Sequence, residues 1–458
     1  MTSVNAPATR HPDRGRYLSV RGLSDLVAAI ALLLQATEAY RAVGYLSGLP
    51  SSQVVNGLFL AFFIAYLVFN AADAARVLRS KIVLTWILGI GVIPTAIMSL
   101  QVAARIIELE ELAYWTAFSL IFVAILLASS VLWRRKGEKL TYPFVLACLV
   151  STWVGYAVNI LNYQFLREVM GFTSNVIAAS ESLARMIGFY PHPNMAAFSL
   201  CLFFVLIGSD RRFLTASSWT RILVILAVLI GIVVTGSRTS LILFIVAFLM
   251  YLRNSAKMNG RLTYGRLVRT FTYLIIAGVL FVSALAFDMR MDKQSDLSET
   301  IVDRVQSISR LVDGSIAQND ESAYLRISII SKYAEDIADN PLLGYGPDYA
   351  FEQIEAGRFS NVSQNSWIEW AIRYGVFYPL AIAVIFAFSI YKNLINRAAW
   401  GSQQFMAVLV VILMSTLSLV DVFWLRSTAL ALGVSIGMAT LTHKRAQYTA
   451  GNADDAHN

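Results

Sequence analysis

Arg238 stands in Thr235-Gly236-Ser237-Arg238-Thr239-Ser240, which joins two apolar runs with almost no loop. Gly236 permits a sharp reversal there, and Ser237 can cap the helix that follows. That puts Arg238 in the first turn of a helix at a membrane boundary. A guanidinium beside helix N-terminal N–H groups makes an anion site, most naturally for phosphate. The other reading is an arginine that snorkels to lipid headgroups. Arg326 poses the same question in a helix expected over about 321–338 and stopped by Asp339-Asn340-Pro341. At 100° per residue it falls within the apolar arc of Ile327, Ile329, Ile330, Tyr333 and Ile337, with Lys332, Glu335 and Asp336 off that arc or at its edge. It either pairs with a buried carboxylate or faces a bound anion. Just beyond, Asn340-Pro341-Leu342-Leu343-Gly344-Tyr345-Gly346-Pro347-Asp348-Tyr349 reads as a rigid turn. Its Tyr345, Asp348 and Tyr349 can also stack on and hydrogen-bond a sugar. Next, Ser363-Gln364-Asn365-Ser366-Trp367-Ile368-Glu369 contains an S-x-x-E capping box, Ser366 to Glu369. Gln364 and Asn365 project from just before that cap, and Glu369 and Arg373 are spaced to pair. His192, in Tyr190-Pro191-His192-Pro193-Asn194, is the one histidine expected near the same face.

The elements that position these residues are apolar helices. The chain has 458 residues, of which 57% are hydrophobic and 14% charged, so a soluble fold would expose too much apolar surface. The apolar residues come in blocks long enough to cross a hydrocarbon core of roughly 30 Å. Twelve spans are expected, at about 23–43, 54–71, 82–101, 113–133, 142–163, 194–208, 220–236, 238–252, 271–288, 366–391, 404–424 and 427–442. With residues 1–22 in the cytoplasm, the even-numbered spans end among Arg76, Arg79 and Lys81, then Arg134, Arg135 and Lys136, then Arg211, Arg212 and Arg221. Arg253, Lys257, Lys392, Arg397, Lys444 and Arg445 continue the series, while the opposite loops are acidic or poor in lysine and arginine, as positive-inside topology requires. The net charge of +8 is explained by that distribution, and no nucleic-acid partner is implied. Arg16–Ala39 also has the make-up of a signal peptide.

Residues 289–365 form one long extracytoplasmic segment, too long for a plain connector, in which acids outnumber bases roughly two to one. Its first half is polar and its second half helical. Spans ten to twelve occupy 366–442, and 443–458 is a cytoplasmic tail, small and polar from Thr449 onward and expected to lack structure. Cys148 and Cys201 sit inside apolar blocks as small core residues. No P-loop, dinucleotide fingerprint or zinc-protease motif occurs, and no cofactor is implied.

Taken in order, Pro191-His192-Pro193-Asn194, Gly236-Ser237-Arg238-Thr239-Ser240, Asn340-Pro341-Leu342-Leu343-Gly344-Tyr345-Gly346 and Gln364-Asn365-Ser366-Trp367-Ile368-Glu369 resemble the O-antigen ligase and polysaccharide polymerase (Wzy-type) superfamily. The family pattern also has an arginine where Arg326 stands. The resemblance covers residues 185–390 by motif and the rest by topology. It implies an all-α, GT-C-like, metal-independent membrane glycosyltransferase. Such enzymes transfer an oligosaccharide from an undecaprenyl diphosphate carrier to an acceptor hydroxyl. Polymerases take a second lipid-linked repeat unit as acceptor, and ligases take lipid A–core. Arg238 and Arg326 match the arginines that hold the donor diphosphate, with Ser237, Tyr345 and Asn365 as further substrate contacts. One position departs. Where the family has a histidine before the asparagine, this chain has Gln364, which accepts no proton at neutral pH. His192, Asp348 and Glu369 are then the candidates to act on the acceptor.

The expected function is polymerisation of lipid-linked repeat units for a surface polysaccharide, in the inner membrane, with flippase and chain-length regulator proteins as partners. The alternatives are an O-antigen ligase, an oligosaccharide or small-molecule transporter and a non-catalytic scaffold. Against a transporter stand the short link Ser209–Thr220 at mid-chain and the few charges deep in the spans.

Overall fold

A computed structural model describes residues 20–49, 52–161, 165, 186–235, 237–258, 321–359, 362–363, 365–395, 403–417 and 422–455. Every regular element among them is helical. In chain order these are α1 (Val20–Ala36), α2 (Tyr40–Leu46), α3 (Ser52–Phe69), α4 (Ala71–Leu78), α5 (Lys81–Ile87) and α6 (Ile93–Ala103). Then follow α7 (Leu109–Lys136), α8 (Glu138–Leu161), α9 (Pro193–Gly208), α10 (Arg211–Thr215), α11 (Ser218–Val234) and α12 (Arg238–Met258). The rest are α13 (Glu321–Asp339), α14 (Tyr349–Glu355), α15 (Ser366–Tyr374), α16 (Phe377–Ile395), α17 (Gln403–Leu417) and α18 (Arg426–Asp455).

Three continuous helical runs, Lys81–Ala103, Leu109–Lys136 and Glu138–Leu161, are long and apolar enough to cross a membrane. The first holds a π-helical turn, Leu88–Val92, just before Pro94. Proline has no N–H to continue the ladder, and the wider turn accommodates the gap. Two expected spans are bent pairs: α1 with α2 at 99°, and α3 with α4 at 95°. Apolar helices of 10–17 residues lie within α9, α11, α12, α16 and α17. The chain is an integral membrane protein built of apolar helices. The expected span 271–288 lies outside the described residues.

α9 is the hub. Every one of its residues is buried, and it packs against α8, α11, α12, α17 and α18. Glycines set the closest approach of α18 to α7, since a Cβ at Gly433 would meet Ser129 Oγ and one at Gly437 would meet the Ser130 carbonyl at 2.6 Å. At one end of the bundle, Asp25 pairs with Arg135 at 3.3 Å and Lys136 at 2.9 Å, and Asp73 pairs with Arg76 at 3.2 Å and Arg134 at 3.6 Å. The chemistry-bearing motifs gather at the other end.

Three expectations need correction. Span ten is not one helix over 366–391. α15 stops at Tyr374 and α16 begins at Phe377, because Gly375 takes φ 76°, a left-handed conformation that ends a helix. The tail beyond Thr449 continues α18 as helix to Asp455. In α13 the buried stripe is narrower than the expected arc. Ile329 and Tyr333 are buried and Ile337 partly so, whereas Ile330 is exposed and Asp336, set at the arc's edge, is buried.

Candidate functional site

α11 ends at Thr235, whose hydroxyl donates to the Ile232 carbonyl at 2.6 Å and accepts from the Ser237 N–H at 3.3 Å. Ser237 Oγ then accepts from the Ser240 N–H at 3.4 Å and lies 2.7 Å from Ser240 Oγ, so Ser237 caps α12 as its type and place predict. Thr235, Ser237 and Ser240 are all buried. The turn is also recessed. Cys201 Sγ donates to the Ser240 carbonyl at 3.3 Å, and Cys201 lies seven residues past Asn194, roughly 10 Å along α9. Arg238 is the first residue of α12; its side chain, like that of Arg326 in α13, lies outside the described atoms.

His192 caps α9. Its Nδ1 accepts the Asn194 N–H at 3.1 Å, with Pro193 occupying the first helical position where no N–H is needed. The cap fixes the tautomer, because an accepting Nδ1 leaves the neutral ring's proton on Nε2.

Asn365 caps α15, one residue before the Ser366 that the sequence suggested. Its Oδ1 accepts from the Trp367 and Ile368 N–H groups at 3.0 and 3.3 Å. Its Nδ2 donates to the Thr416 carbonyl at 3.1 Å, and Trp367 Nε1 donates to Thr416 Oγ1 at 3.1 Å, which ties α15 to the end of α17. Glu369, four residues past that cap, accepts the Ser363 N–H at 2.9 Å. The cap is therefore Asn365 rather than Ser366, because the asparagine carbonyl reaches two N–H groups at once, and the expected capping box does not form. Glu369 also pairs with Arg373 at 3.3 Å, neither side chain being exposed. Gln364 lies outside the described residues.

The proline–glycine turn locks onto the break between α15 and α16. The Tyr345 and Gly346 N–H groups donate to the Ile372 and Arg373 carbonyls at 2.8 and 3.1 Å, and the Val376 N–H donates to the Pro341 carbonyl at 2.8 Å. Gln101, from α6, donates through Nε2 to the Leu343 and Arg373 carbonyls at 2.6 and 2.7 Å. These bonds satisfy carbonyls that a helix terminus leaves open. Gly344 and Gly346 have φ of 69° and 101°, and a Cβ on Gly344 would sit 2.6 Å from the Ile372 carbonyl oxygen. The turn residues are thus explained by packing.

Beside it, Tyr345 and Tyr349 stack at 4.4 Å with 19° between their planes. Tyr349 donates to Asp336 Oδ2 at 3.1 Å, and Asp336 is ion-paired with Arg358. Burial and the Asp336 carboxylate push the Tyr349 phenol up to about 12. Burial, with Asp339 and Asp336, raises Tyr345 too. Asp348 has intermediate exposure, and its N–H donates to Glu111 Oε1 in the first turn of α7 at 3.3 Å. Tyr333 stacks on Phe359 at 4.5 Å, and Ile329, Ala350 and Ile372 complete a second small core under the turn.

The structure therefore places the Asn365 cap and Glu369 on one short helix, α15, with the proline–glycine turn bonded to its C-terminal end. His192 and Ser237 belong to a second group around α9. Sequence reasoning missed Gln101, Asp336, Arg358 and the buried Arg426. Two of these carried a signal: Gln101 is a lone amide ending an apolar run, and Arg426 separates two apolar runs much as Arg238 does.

No curated protein matches the chain. Residues 222–378 match the family model described as O-antigen ligase, a stretch running from α11 through the Ser237 turn, α13, the proline–glycine turn and α15. Residues 222–378 thus carry an O-antigen ligase domain of the O-antigen ligase and Wzy superfamily.

Proposed function

We propose that this protein polymerises lipid-linked oligosaccharide repeat units into a surface polysaccharide at the outer face of the inner membrane. The observation that carries the reading is the recessed, buried turn at Ser237 inside the matched domain. It opens α12 with Arg238 as the first helical residue. A recessed helix start whose first residue is an arginine suits a diphosphate on a lipid carrier.

In the proposed reaction the acceptor hydroxyl oxygen attacks the anomeric carbon of the donor sugar. The bond from that carbon to the phosphate oxygen breaks, and its electron pair leaves on undecaprenyl diphosphate. The acceptor's proton passes to solvent or to a nearby base. Arg238 and Arg326 stabilise the charge growing on the leaving group, without a metal. Glu369 is engaged by the Ser363 N–H and by Arg373, and His192 Nδ1 as a cap, which leaves Asp348 as the freest of the proposed bases.

The basic residues around Asp25 and Asp73 mark the cytoplasmic end by the positive-inside rule, with both termini there and the Ser237 end outside. A ligase acting on lipid A–core is the second reading, favoured by the O-antigen ligase family that residues 222–378 match. The domain match gives a transporter no support. The test is polysaccharide length on a gel from cells whose only copy is wild type, Arg238→Ala or Arg326→Ala at matched membrane levels. Accumulation of single lipid-linked repeats in both variants supports the polymerase. Normal chain lengths in both would remove the diphosphate clamp and with it the enzyme assignment.

A further inference from the structure

A second charged cluster lies at the same end of the bundle, on the far side of α9. There α1 breaks sharply into α2 at Thr37–Ala39, with Glu38 in the left-handed region at φ 56°. Arg426, at the start of α18, reaches into the bend. It donates to Gln35 Oε1 at 2.5 Å and to Asn56 Oδ1 at 3.0 Å, and its guanidinium lies 4.1 Å over the Tyr40 ring. Glu38 Oε2 is 3.4 Å from Arg41 Nε and 3.9 Å from Arg426. Gln35, Glu38, Tyr40 and Arg426 are each less than 5% exposed.

Two guanidiniums here share one carboxylate. Among the described residues the cluster keeps an uncompensated positive charge in a place withdrawn from water, which is costly unless an anion completes it. A second observation points the same way. Gln35 Nε2 is fully buried and has no hydrogen-bond partner among the described residues, and its own carbonyl oxygen holds it against Arg426. A buried amide donor left without an acceptor is destabilising. The Arg41 side chain is 24% exposed, so the cluster opens to the surrounding medium on that side.

The cluster also joins the candidate site through α9. Tyr190 donates to the Ala36 carbonyl at 3.3 Å, and Ser199 lies 2.9 Å from Ser427. Cys201, two residues along and so roughly 200° around the helix, faces the Ser237 turn instead.

We propose that Arg41, Arg426 and Gln35 bind the phosphate of a second prenyl diphosphate lipid, the acceptor, opposite the donor at Arg238. This rests on the polymerase reading, in which donor and acceptor are both lipid-linked. The donors suit any lipid-borne phosphate; the arrangement at the motif-bearing end selects the prenyl carrier over an anionic phospholipid.

The test is binding of labelled undecaprenyl diphosphate to the purified full chain in phosphatidylcholine nanodiscs. Wild type, Arg41→Gln, Gln35→Met, Arg238→Ala and the Arg41→Gln/Arg238→Ala pair are compared, with melting followed in each. Two equivalents for wild type, one for each single variant and none for the pair support the proposal. Arg41→Gln removes a partly exposed group, whereas Gln35→Met also removes the oxygen that accepts from Arg426, so its binding is judged only where its melting matches wild type. Loss in Arg41→Gln with both equivalents kept in Arg238→Ala still supports this site while removing the donor clamp. A single equivalent in wild type, unaffected by Arg41→Gln, overturns the proposal and leaves the donor site standing. Displacement of the second equivalent by phosphatidylglycerol at equal concentration also overturns it, as a headgroup site.

Discussion

Glu369 and Arg373 sit one helical turn apart in α15, 3.3 Å from each other and closed off from solvent. The pair lies beneath the proline–glycine turn, whose Gly346 N–H is bonded to the Arg373 carbonyl. Removing one charge leaves the other stranded, at a cost of about 3–5 kcal/mol, whereas replacing both by apolar groups costs far less. Glu369→Ala is therefore expected to lower the melting temperature sharply and to lose activity with the fold. Glu369→Met/Arg373→Met is expected to recover most of the melting temperature. A Glu369→Ala protein that melts like wild type but is inactive would instead make Glu369 the base.

His192 gives a cleaner separation of capping from proton transfer. Asparagine is among the best capping residues and cannot act as a base. His192→Asn is expected to keep polymer length and melting near wild type, and His192→Ala to lose about 1 kcal/mol of stability. Loss of polymer in His192→Asn at unchanged melting would show that the imidazole takes part in the reaction.

Gly344 and Gly375 face each other across the lock between the turn and the helix break. Added Cβ atoms would approach backbone oxygens to 2.6 Å at Gly344 and 2.1 Å at Gly375, with φ of 69° and 76°. Each alanine variant is expected to destabilise the segment 321–374 by about 1–3 kcal/mol or more. The effect should appear as faster proteolysis within residues 321–374 while the membrane core stays protected. Equal protection in wild type and variants would show that the lock is dispensable.

The Tyr349 phenol is held up to about 12 by burial and by Asp336. A folded-state value above the ordinary one near 10 stabilises the fold fully below pH 10. That contribution falls away as pH rises through about 12, because the unfolded chain loses its proton first. Melting is expected to drop across this window in wild type and less so in Tyr349→Phe. Asp336→Asn should bring the phenol back toward 10. A flat difference between wild type and Tyr349→Phe would remove the coupling.

Much of the fold was legible in the chain. Apolar blocks of membrane length announced helices, and each block that falls on described residues is helical. Ser237, following Gly236 at the reversal between two apolar runs, marked its own cap. The capping-box spacing found Glu369 yet put the cap one residue late, because Asn365 and Ser366 are both good caps and only the backbone path chooses between them. Span ten read as continuous because it is mostly apolar and Gly375 stands alone within it. Its break at Gly375 follows from carbonyls that Pro341, Leu342 and the turn bring from some thirty residues away.

The sequence by itself determined that the chain is helical and lies in a membrane, and which short motifs end its helices. Those properties depend on neighbours a few residues apart and on transfer of whole segments out of water. The tertiary structure alone decided which polar groups meet. Gln101 meets Arg373, Asp336 meets Arg358, and Arg426 meets Gln35 across 391 positions. Such pairings arise because a buried charge or amide must find its partner wherever packing brings one, and no local spacing encodes that.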